Sequence, residues 1–201
     1  MALAGIIKGF EEVVAVGETV LGAEARSKGY IITVNMEVDN LSNVTLMYPG
    51  VSLKSGECDV PPVRIASGYK EAMLARKYSY MPSGSFGVVS WQIGETKNRV
   101  VIMWSVPFNS FFYDNWLAVG IKPAKDHDPK WADEMYYEKY GSWYQRAKYN
   151  TEVPTVSFIT DKWAVSASMS TTQGAHVRAT FGPTNESDVS QYLKDKKAQQ
   201  K

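Results

Sequence analysis

The sequence has very little of the chemistry that metal-dependent and disulfide-bonded proteins use. Cys58 is the sole cysteine among the 201 residues, so the chain cannot form an internal disulfide or a cysteine-rich zinc site. His127 and His176 are its only histidines, which argues against a histidine-based metal site. We therefore expect no metal and no other cofactor.

Net charge and long apolar runs are also lacking. The formal net charge is only +1, which argues against a nucleic-acid partner. No stretch reaches the roughly 20 uncharged apolar residues of an ordinary transmembrane helix. The hydrophobic content of 44% is nevertheless that of a folded chain, and the length suits one self-supporting domain. The composition predicts a globular protein that is water-soluble as made.

Signals for catalysis are weak. No serine lies in a nucleophile elbow, and no glycine-rich phosphate loop is present. The triplet 126–128 (Asp-His-Asp) follows a lysine and precedes a proline, so we interpret it as a solvated loop. Cys58 lies between Glu57 and Asp59, whose charges disfavour a thiolate. We expect no enzyme activity and assign no catalytic residue.

The first 22 residues show a helical pattern. Apolar side chains recur every three or four positions, and carboxylates occupy other faces, which predicts an amphipathic helix over 2–22. Its main residues are Leu3, Ile6, Ile7, Phe10, Val13 and Val14 on the apolar side, with Glu11 and Glu12 on the polar side. Each glutamate costs about 3 kcal/mol at the centre of a bilayer, so one inserted copy is unfavourable.

Two locations are possible for this helix, in a membrane or on the surface of the soluble protein. Several copies can insert together if the glutamates face water and the apolar stripes face lipid, and an acid-lined pore of this kind favours cations. Alternatively, the helix docks on the rest of a soluble monomer.

From residue 30 onward, short β-rich runs alternate with turn formers, which predicts an all-β-dominated antiparallel sandwich or barrel. The predicted strands are 30–38, 43–47, 69–78, 86–93, 99–106, 116–121, 155–159, 162–169 and 176–181. A second helix is expected at 128–140, with Pro129 in its first turn. The polar, basic end at 183–201 is expected to be a flexible tail.

Aromatic residues are abundant and clustered. Six of them lie in 104–116 and seven in 131–149. The run Phe111-Phe112-Tyr113 cannot all face inward, because neighbouring side chains of a strand point to opposite faces. Polar loop-forming residues flank the run, so we expect its rings on an exposed projection.

Exposed rings of this kind have two well-founded uses. They seat a protein at the bilayer interface, and they hold a quaternary ammonium by cation–π attraction. A phosphocholine headgroup would use both. Tyr136 and Tyr140 lie one helical turn apart beside Tyr137, so one helix can present several phenols. A buried core or a protein–protein patch is the alternative interpretation of the same rings.

Three segments carry a resemblance to a known family. These are ALAGIIKGF at 2–10, VVIMWSVPFNSFFYDNWLAVGI at 100–121 and MYYEKYG at 135–141. On them, and over roughly residues 2–182, the chain resembles the actinoporins, pore-forming cytolysins of sea anemones and their relatives. The resemblance implies a β-sandwich flanked by two helices. It implies one domain over 1–182, with the membrane-inserting helix at about 2–22 and the sandwich at about 30–182.

The resemblance also implies a function and a site. The protein would be secreted as a monomer, with storage in nematocysts, and would bind phosphocholine lipids, sphingomyelin above all, before forming homo-oligomeric pores. The implied headgroup site is Lys54, Ser55, Phe86, Ser105, Pro107, Tyr113, Tyr136, Tyr137 and Tyr140. The implied membrane-interface rings are Phe111, Phe112 and Trp116.

The chain departs from the family pattern at several positions that bear on lipid selectivity and potency. Lys54 stands where the family usually has arginine, and Phe112 and Leu117 each replace a tryptophan. The segment 144–147 replaces an Arg-Gly-Asp motif. A non-lytic, lectin-like module that binds a glycan or a lipid headgroup is the alternative function, although such a module has no use for the amphipathic start.

Overall fold

The computed structural model describes residues 15–16, 30–138 and 141–200. The strands of these residues are β1 (Ala15–Val16), β2 (Thr33–Asn40), β3 (Leu46–Ser55), β4 (Glu57–Val60), β5 (Tyr69–Arg76), β6 (Ser85–Ile93), β7 (Asn98–Val106), β8 (Asn115–Pro123), β9 (Tyr144–Tyr149), β10 (Val156–Ile159), β11 (Trp163–Met169) and β12 (Gly174–Pro183). Their helices are α1 (Trp131–Tyr137) and α2 (Gln191–Gln199), and a 3₁₀ turn covers Glu186–Asp188. No helix within the described ranges is long and apolar enough to cross a membrane.

The strands form two sheets. The larger sheet has the order β1-β5-β2-β12-β11-β10, with β4 also paired to β5. The smaller sheet has the order β3-β6-β7-β8-β9. All pairs are antiparallel except β1 with β5 and β2 with β12. The predicted antiparallel, all-β-dominated sandwich is therefore confirmed, with these two parallel pairs as a local difference.

The main core lies between the two sheets and follows from side-chain alternation. In β7, the side chains of Val100, Ile102 and Trp104 are fully buried in this core. Their neighbours Val101 and Met103 point to the opposite face of the smaller sheet, where they are also fully buried. A strand that is buried on both faces needs another element packed on each face to exclude water. The larger sheet covers one face of β7, so a second layer must cover the other.

Helix α1 supplies that second layer. Trp131, Ala132 and Met135 of the helix are buried against Val101 and Met103 of the smaller sheet. The helix is shorter than the predicted 128–140. It begins at 131 because the preceding residues form a turn, and it ends before Glu138, whose backbone is extended (φ −83°, ψ 122°).

The end of α1 is held by hydrogen bonds from neighbouring elements. Glu134 accepts from Trp143 Nε1 (2.6 Å) and forms an ion pair with Lys122 (3.0 Å). The Tyr144 hydroxyl lies 2.9 Å from the carbonyl oxygen of Glu134 and 2.8 Å from that of Glu138, so its one proton is shared between these two acceptors at the helix terminus. Burial, followed by the charge of Glu138, raises the pKa of Tyr144. The hydroxyl therefore stays protonated and able to donate.

The start of α1 is held by His127. Its ring nitrogens lie 2.9 Å from Ser90 Oγ and 3.1 Å from Ser52 Oγ, and its ring packs edge-on against Trp131. The buried Arg99 donates to the same Ser90 hydroxyl (2.9 Å). The triplet lies in a loop, as predicted, but the histidine is half-buried instead of fully solvated, because it contacts strand residues distant in sequence.

Residues 2–22 were predicted to form one helix. Within them the structure describes only Ala15–Val16, which form β1 and pair with Tyr69–Lys70 of β5. The helix prediction therefore differs from the structure at these two residues. The edge of β5 offers them unpaired backbone groups, and valine and the following glycine are weak helix formers. The rest of the segment, including every predicted pore-helix residue, lies outside the described residues.

The end of the chain also differs from its prediction. The expected flexible tail contains α2, whose Leu193 is fully buried. Tyr192 stacks on Tyr69 of β5, with ring centroids 5.3 Å apart. One buried leucine and one ring contact in an otherwise polar helix leave almost no periodic apolar pattern, which is why no helix was expected at this end of the chain.

The half-buried His127 predicts a pH dependence of stability. Burial and then the positive charge of Arg99 lower its pKa, against a smaller opposing effect of Asp128. As pH falls below about 6.5, the histidine takes up a proton in the unfolded chain before it does so in the folded one. The free energy of unfolding should therefore fall with pH by at most about 1.4 kcal/mol per unit, and level off below the folded pKa.

Urea unfolding at about pH 7.5 and about pH 5.5 measures this effect. His127→Gln should flatten the pH dependence over this interval, whereas His176→Gln, which alters the exposed histidine, should retain it. An unchanged slope in His127→Gln would contradict the assignment of the effect to this ring.

Candidate functional site

Three loops meet at one end of the sandwich. They are 77–84, 107–114 and 170–173, and together we call them the aromatic end. Gln173 Nε2 donates to the carbonyl of Phe108 (2.7 Å), which joins the second and third loops. The first loop is equally close, because a Cβ added to its last residue, Gly84, would lie 2.3 Å from the carbonyl oxygen of Val106. These loops therefore form one continuous surface.

Asn115 anchors this surface. It is buried at the first position of β8, and its side-chain amide donates to the carbonyls of Ser170 (3.1 Å) and Thr172 (3.0 Å). These carbonyls belong to the loop between β11 and β12, so one side chain links the two sheets at their ends. This link accounts for an asparagine just before Trp116 in the segment 100–121.

The loop 107–114 presents its rings to solvent. Phe111 and Phe112 are 96% and 80% exposed, and Tyr113 is exposed as well. The loop is shaped by Asn109, whose side-chain oxygen accepts from the Phe111 amide (3.1 Å) and whose carbonyl accepts from the Tyr113 amide (3.1 Å). The predicted exposure of these rings is confirmed, and the turn-forming asparagine is its cause.

A row of predicted site residues crosses the smaller sheet beside this end. Ser55 pairs with Phe86, Phe86 with Ser105, and Ser105 with Trp116. Residues directly opposite each other on neighbouring strands share a face of the sheet. Lys148 of β9 continues the row beyond Trp116. The row lies on the face that α1 covers, just where the helix ends.

Tyr136 of α1 is the centre of a ring cluster above this row. Its ring centroid lies 5.1 Å from that of Phe86, 6.3 Å from that of Trp116 and 4.9 Å from that of Tyr137. We call these four residues the aromatic cluster. Three members are partly buried, while Tyr137 is exposed. Trp116, predicted as a membrane-interface ring, is thus half-buried in the cluster instead of projecting with Phe111.

The cations near the cluster already have partners. Lys54 forms a 2.6 Å ion pair with Asp133 of α1, and both side chains are partly exposed. Arg146 of β9 places its guanidinium 4.8 Å from the centre of the Trp116 ring and donates to the carbonyl of Tyr136. A positive charge on a tryptophan face is a cation–π contact, so the cluster binds a cation within the protein itself.

The structure therefore brings most of the predicted headgroup residues together. Those at or beside the aromatic cluster are Lys54, Ser55, Phe86, Ser105, Tyr136 and Tyr137. Pro107 starts the neighbouring loop, and Tyr113 lies on that loop. Tyr140 lies outside the described residues.

Sequence reasoning missed three contributors to this region. Asp133 and Arg146 were not singled out, because their partners come from other strands. β9, which carries Arg146, was not predicted as a strand. This strand has only a weak apolar–polar alternation in its sequence. Its first and last residues, Tyr144 and Tyr149, are buried, and the residues between them are exposed or half-exposed. The exposed Tyr80 of loop 77–84 was also missed, although the turn formers Pro82-Ser83-Gly84 follow it closely.

Comparisons with known proteins agree with this geometry. The model of a family described as sea anemone cytotoxic protein matches residues 2–156. Echotoxin-2 of Monoplex parthenopeus is 34% identical over 174 residues, covering 83% of this chain and 63% of that protein. Tereporin-Ca1 of Terebra anilis is 32% identical over 177 residues, covering 84% of this chain and 92% of that protein. The chain thus spans less than two thirds of the first relative and nearly all of the second.

Among solved structures, the lipid binding protein Nakanori superposes with a TM-score of 0.63. The match covers 82% of this chain and 77% of that one at 12% sequence identity, so it shows a shared fold alone. The family match extends over most of the chain. The matched region includes loops 77–84 and 107–114 of the aromatic end. The chain therefore belongs to the sea anemone cytotoxic protein family, the actinoporins.

Proposed function

We propose that this chain is a secreted pore-forming cytolysin that binds phosphocholine lipids, with sphingomyelin as its preferred lipid. The observation that carries the proposal is the aromatic cluster around Tyr136, set directly beside the exposed rings of loop 107–114. A cluster of ring faces suits a quaternary ammonium, and neighbouring exposed rings suit the bilayer interface. Family membership supports the same activity.

In the proposed complex the choline group lies against the faces of Tyr136 and Tyr137, and the phosphate approaches Lys54. The lipid phosphate takes the place of Asp133 as the partner of this lysine. Such an exchange is inexpensive, because an ion pair between partly exposed side chains contributes only about 0–1 kcal/mol. Ser105 lies in the same row as Ser55, and its hydroxyl is the group we assign to a phosphate oxygen, because the Ser55 hydroxyl already donates to the Gly84 carbonyl (3.0 Å).

The rings of loop 107–114 supply the second contact. Phe111 and Phe112 enter the interface between headgroups and acyl chains, while Tyr113 keeps its hydroxyl at the headgroup level. Rings held in a turn lose little conformational entropy on binding, and Asn109 holds this one.

Pore formation is assigned to residues 2–21. The protein is a monomer in solution and a homo-oligomer on the membrane, where these residues insert as helices. Glu11 and Glu12 then face the water-filled lumen, which favours cations. Before insertion, the pairing of β1 with β5 has to separate, and this pairing involves only two residues of each strand.

Dye release from lipid vesicles tests the proposal. We expect leakage from vesicles that contain sphingomyelin to exceed, by several-fold, leakage from matched phosphatidylcholine vesicles that lack it. Absence of leakage from both would overturn the pore assignment, and binding without leakage would point to a non-lytic module. Equal leakage from both would overturn the sphingomyelin preference.

Two variants separate binding from insertion. Deletion of residues 2–21 should abolish leakage and leave vesicle affinity within about twofold, because the aromatic end is unchanged. Tyr113→Ala should weaken vesicle affinity by about tenfold, the effect of withdrawing one ring from the interface. Tyr48→Ala is the matched control, since this tyrosine is also exposed but belongs to the opposite end. A leaking deletion variant would show that the segment is not the pore wall.

A further inference from the structure

Two large side chains of loop 77–84 are exposed to solvent and do not contribute to the hydrophobic core. Tyr80 is fully exposed, and Met81 is 54% exposed. Tyr80 also has a left-handed backbone (φ 59°), a conformation that costs about 1 kcal/mol for a residue with a Cβ. Tyr48 combines an exposed ring with a positive φ at the other end of the sandwich, so the functional argument for Tyr80 rests on its location beside the other exposed rings.

The start of the loop is rigidly held. Arg76 is buried at the end of β5, and its guanidinium binds both carboxylate oxygens of Asp59 (2.9 and 2.8 Å) and one of Glu57 (2.6 Å). The same group donates to the carbonyl of Lys77 (2.9 Å) and to Ser79 Oγ (3.3 Å). The guanidinium therefore joins β4 to the first residues of the loop.

The polar groups of the loop turn inward. The Lys77 ammonium donates to the carbonyls of Tyr78 (3.0 Å) and Met81 (2.6 Å). The Tyr78 amide donates to Ser83 Oγ (3.2 Å). With these atoms paired inside the turn, the side chains that point outward are those of Tyr80 and Met81.

The last residues of loop 77–84 contact loop 107–114. Gly84 lies against the backbone of 106–108, where an added Cβ would be 3.1 Å from Pro107 Cα. Its carbonyl accepts from Ser55 Oγ (3.0 Å) of the row across the smaller sheet. The tip at Tyr80 and Met81 thus belongs to the same end of the molecule as Phe111 and Phe112.

We propose that loop 77–84 is a second bilayer-seating loop, with Met81 among the upper acyl chains and the Tyr80 hydroxyl among the headgroups. This inference rests on the proposed function, since it requires the aromatic end to face a membrane. Two separate convex tips fit a fluid interface, which adapts to any shape, better than a protein surface, which needs a matching hollow for each. The Lys77 ammonium stays within the turn, where its hydrogen bond to the Met81 carbonyl (2.6 Å) holds the tip in place.

A matched pair of variants tests the loop. Tyr80 and Tyr48 are both exposed tyrosines with positive φ (59° and 47°), but Tyr48 lies toward the start of β3, at the opposite end of the sandwich. Glycine relieves the backbone strain at either position, so neither variant should lose stability. We expect Tyr80→Gly to lower affinity for sphingomyelin-containing vesicles by about tenfold and Tyr48→Gly to leave it unchanged.

The outcomes separate the two proposals. If the unaltered protein does not bind these vesicles, the proposed function itself fails, and the loop inference fails with it. If the unaltered protein binds and Tyr80→Gly binds equally well, the loop inference alone is overturned. An equal loss in both glycine variants also overturns it, because the effect would not depend on the end of the molecule.

A fluorescent label gives an independent readout. Burial, with a smaller effect of Asp59, raises the pKa of Cys58 to about 11, so the native thiol should resist labelling near neutral pH. A polarity-sensitive dye can then be attached selectively to Met81→Cys, or to Tyr48→Cys as the control. Vesicles should shift the emission of the dye to the blue at position 81 and not at position 48. An unshifted dye at position 81 on bound protein would overturn the inference.

Discussion

The burial of the smaller sheet on both faces is the constraint from which the rest of the architecture follows. In β7, alternate residues from Val100 to Trp104 enter the core between the sheets, while Val101 and Met103 lie under α1. Neither face is left free for a ligand over the length of this strand. On the described part of the smaller sheet, a binding surface can therefore form only where the strands end, and there the loops and the last turn of α1 come together.

The position of α1 therefore decides the geometry of the ring cluster. The helix is held at its start by His127, in its middle by Glu134, and at its end by the Tyr144 hydroxyl. With the helix held in these places by other parts of the protein, Tyr136 packs against Phe86 and Trp116. A site assembled in advance loses less conformational entropy on binding than one that must be ordered by its ligand.

The distribution of exposed side chains adds to this account. Loop 107–114 and loop 77–84 come from different strand pairs, yet Gly84 brings their backbones into contact. The first loop is shaped by Asn109 and the second by Arg76 and Lys77, so in both cases hydrogen bonds within the loop turn polar atoms inward. Rings and a thioether are left outside as a consequence.

Much of this could be predicted from the sequence. Most of the strands, though not β1, β4 or β9, and the exposure of Phe111 and Phe112 follow from local patterns, namely alternation and the loop formers around the rings. The ends of α1 could not be predicted, since they depend on residues such as Tyr144 that reach the helix from other elements. The helix in the tail depends on one buried leucine, and the burial of His127 depends on strands far away in sequence. Local patterns carry no information about such long-range contacts.

For the candidate site, too, the sequence identified individual residues but did not predict how they come together. Helical spacing drew attention to Tyr136 and Tyr137. The resemblance of segment 100–121 to the family identified Ser105 and Trp116. Their assembly into one row with Ser55 is a matter of strand register, which a single sequence does not specify. The ion pair of Lys54 with Asp133 likewise joins a strand to a helix.

The central claim is that one end of the sandwich meets the membrane. Hydrogen–deuterium exchange of the protein in solution and on sphingomyelin-containing vesicles tests it most directly, because amide protection is read along the whole chain. The account predicts added protection in peptides covering 77–84 and 107–114, with no change around Tyr48 at the opposite end. Protection around Tyr48, or none in the two loops of a vesicle-bound protein, would contradict it.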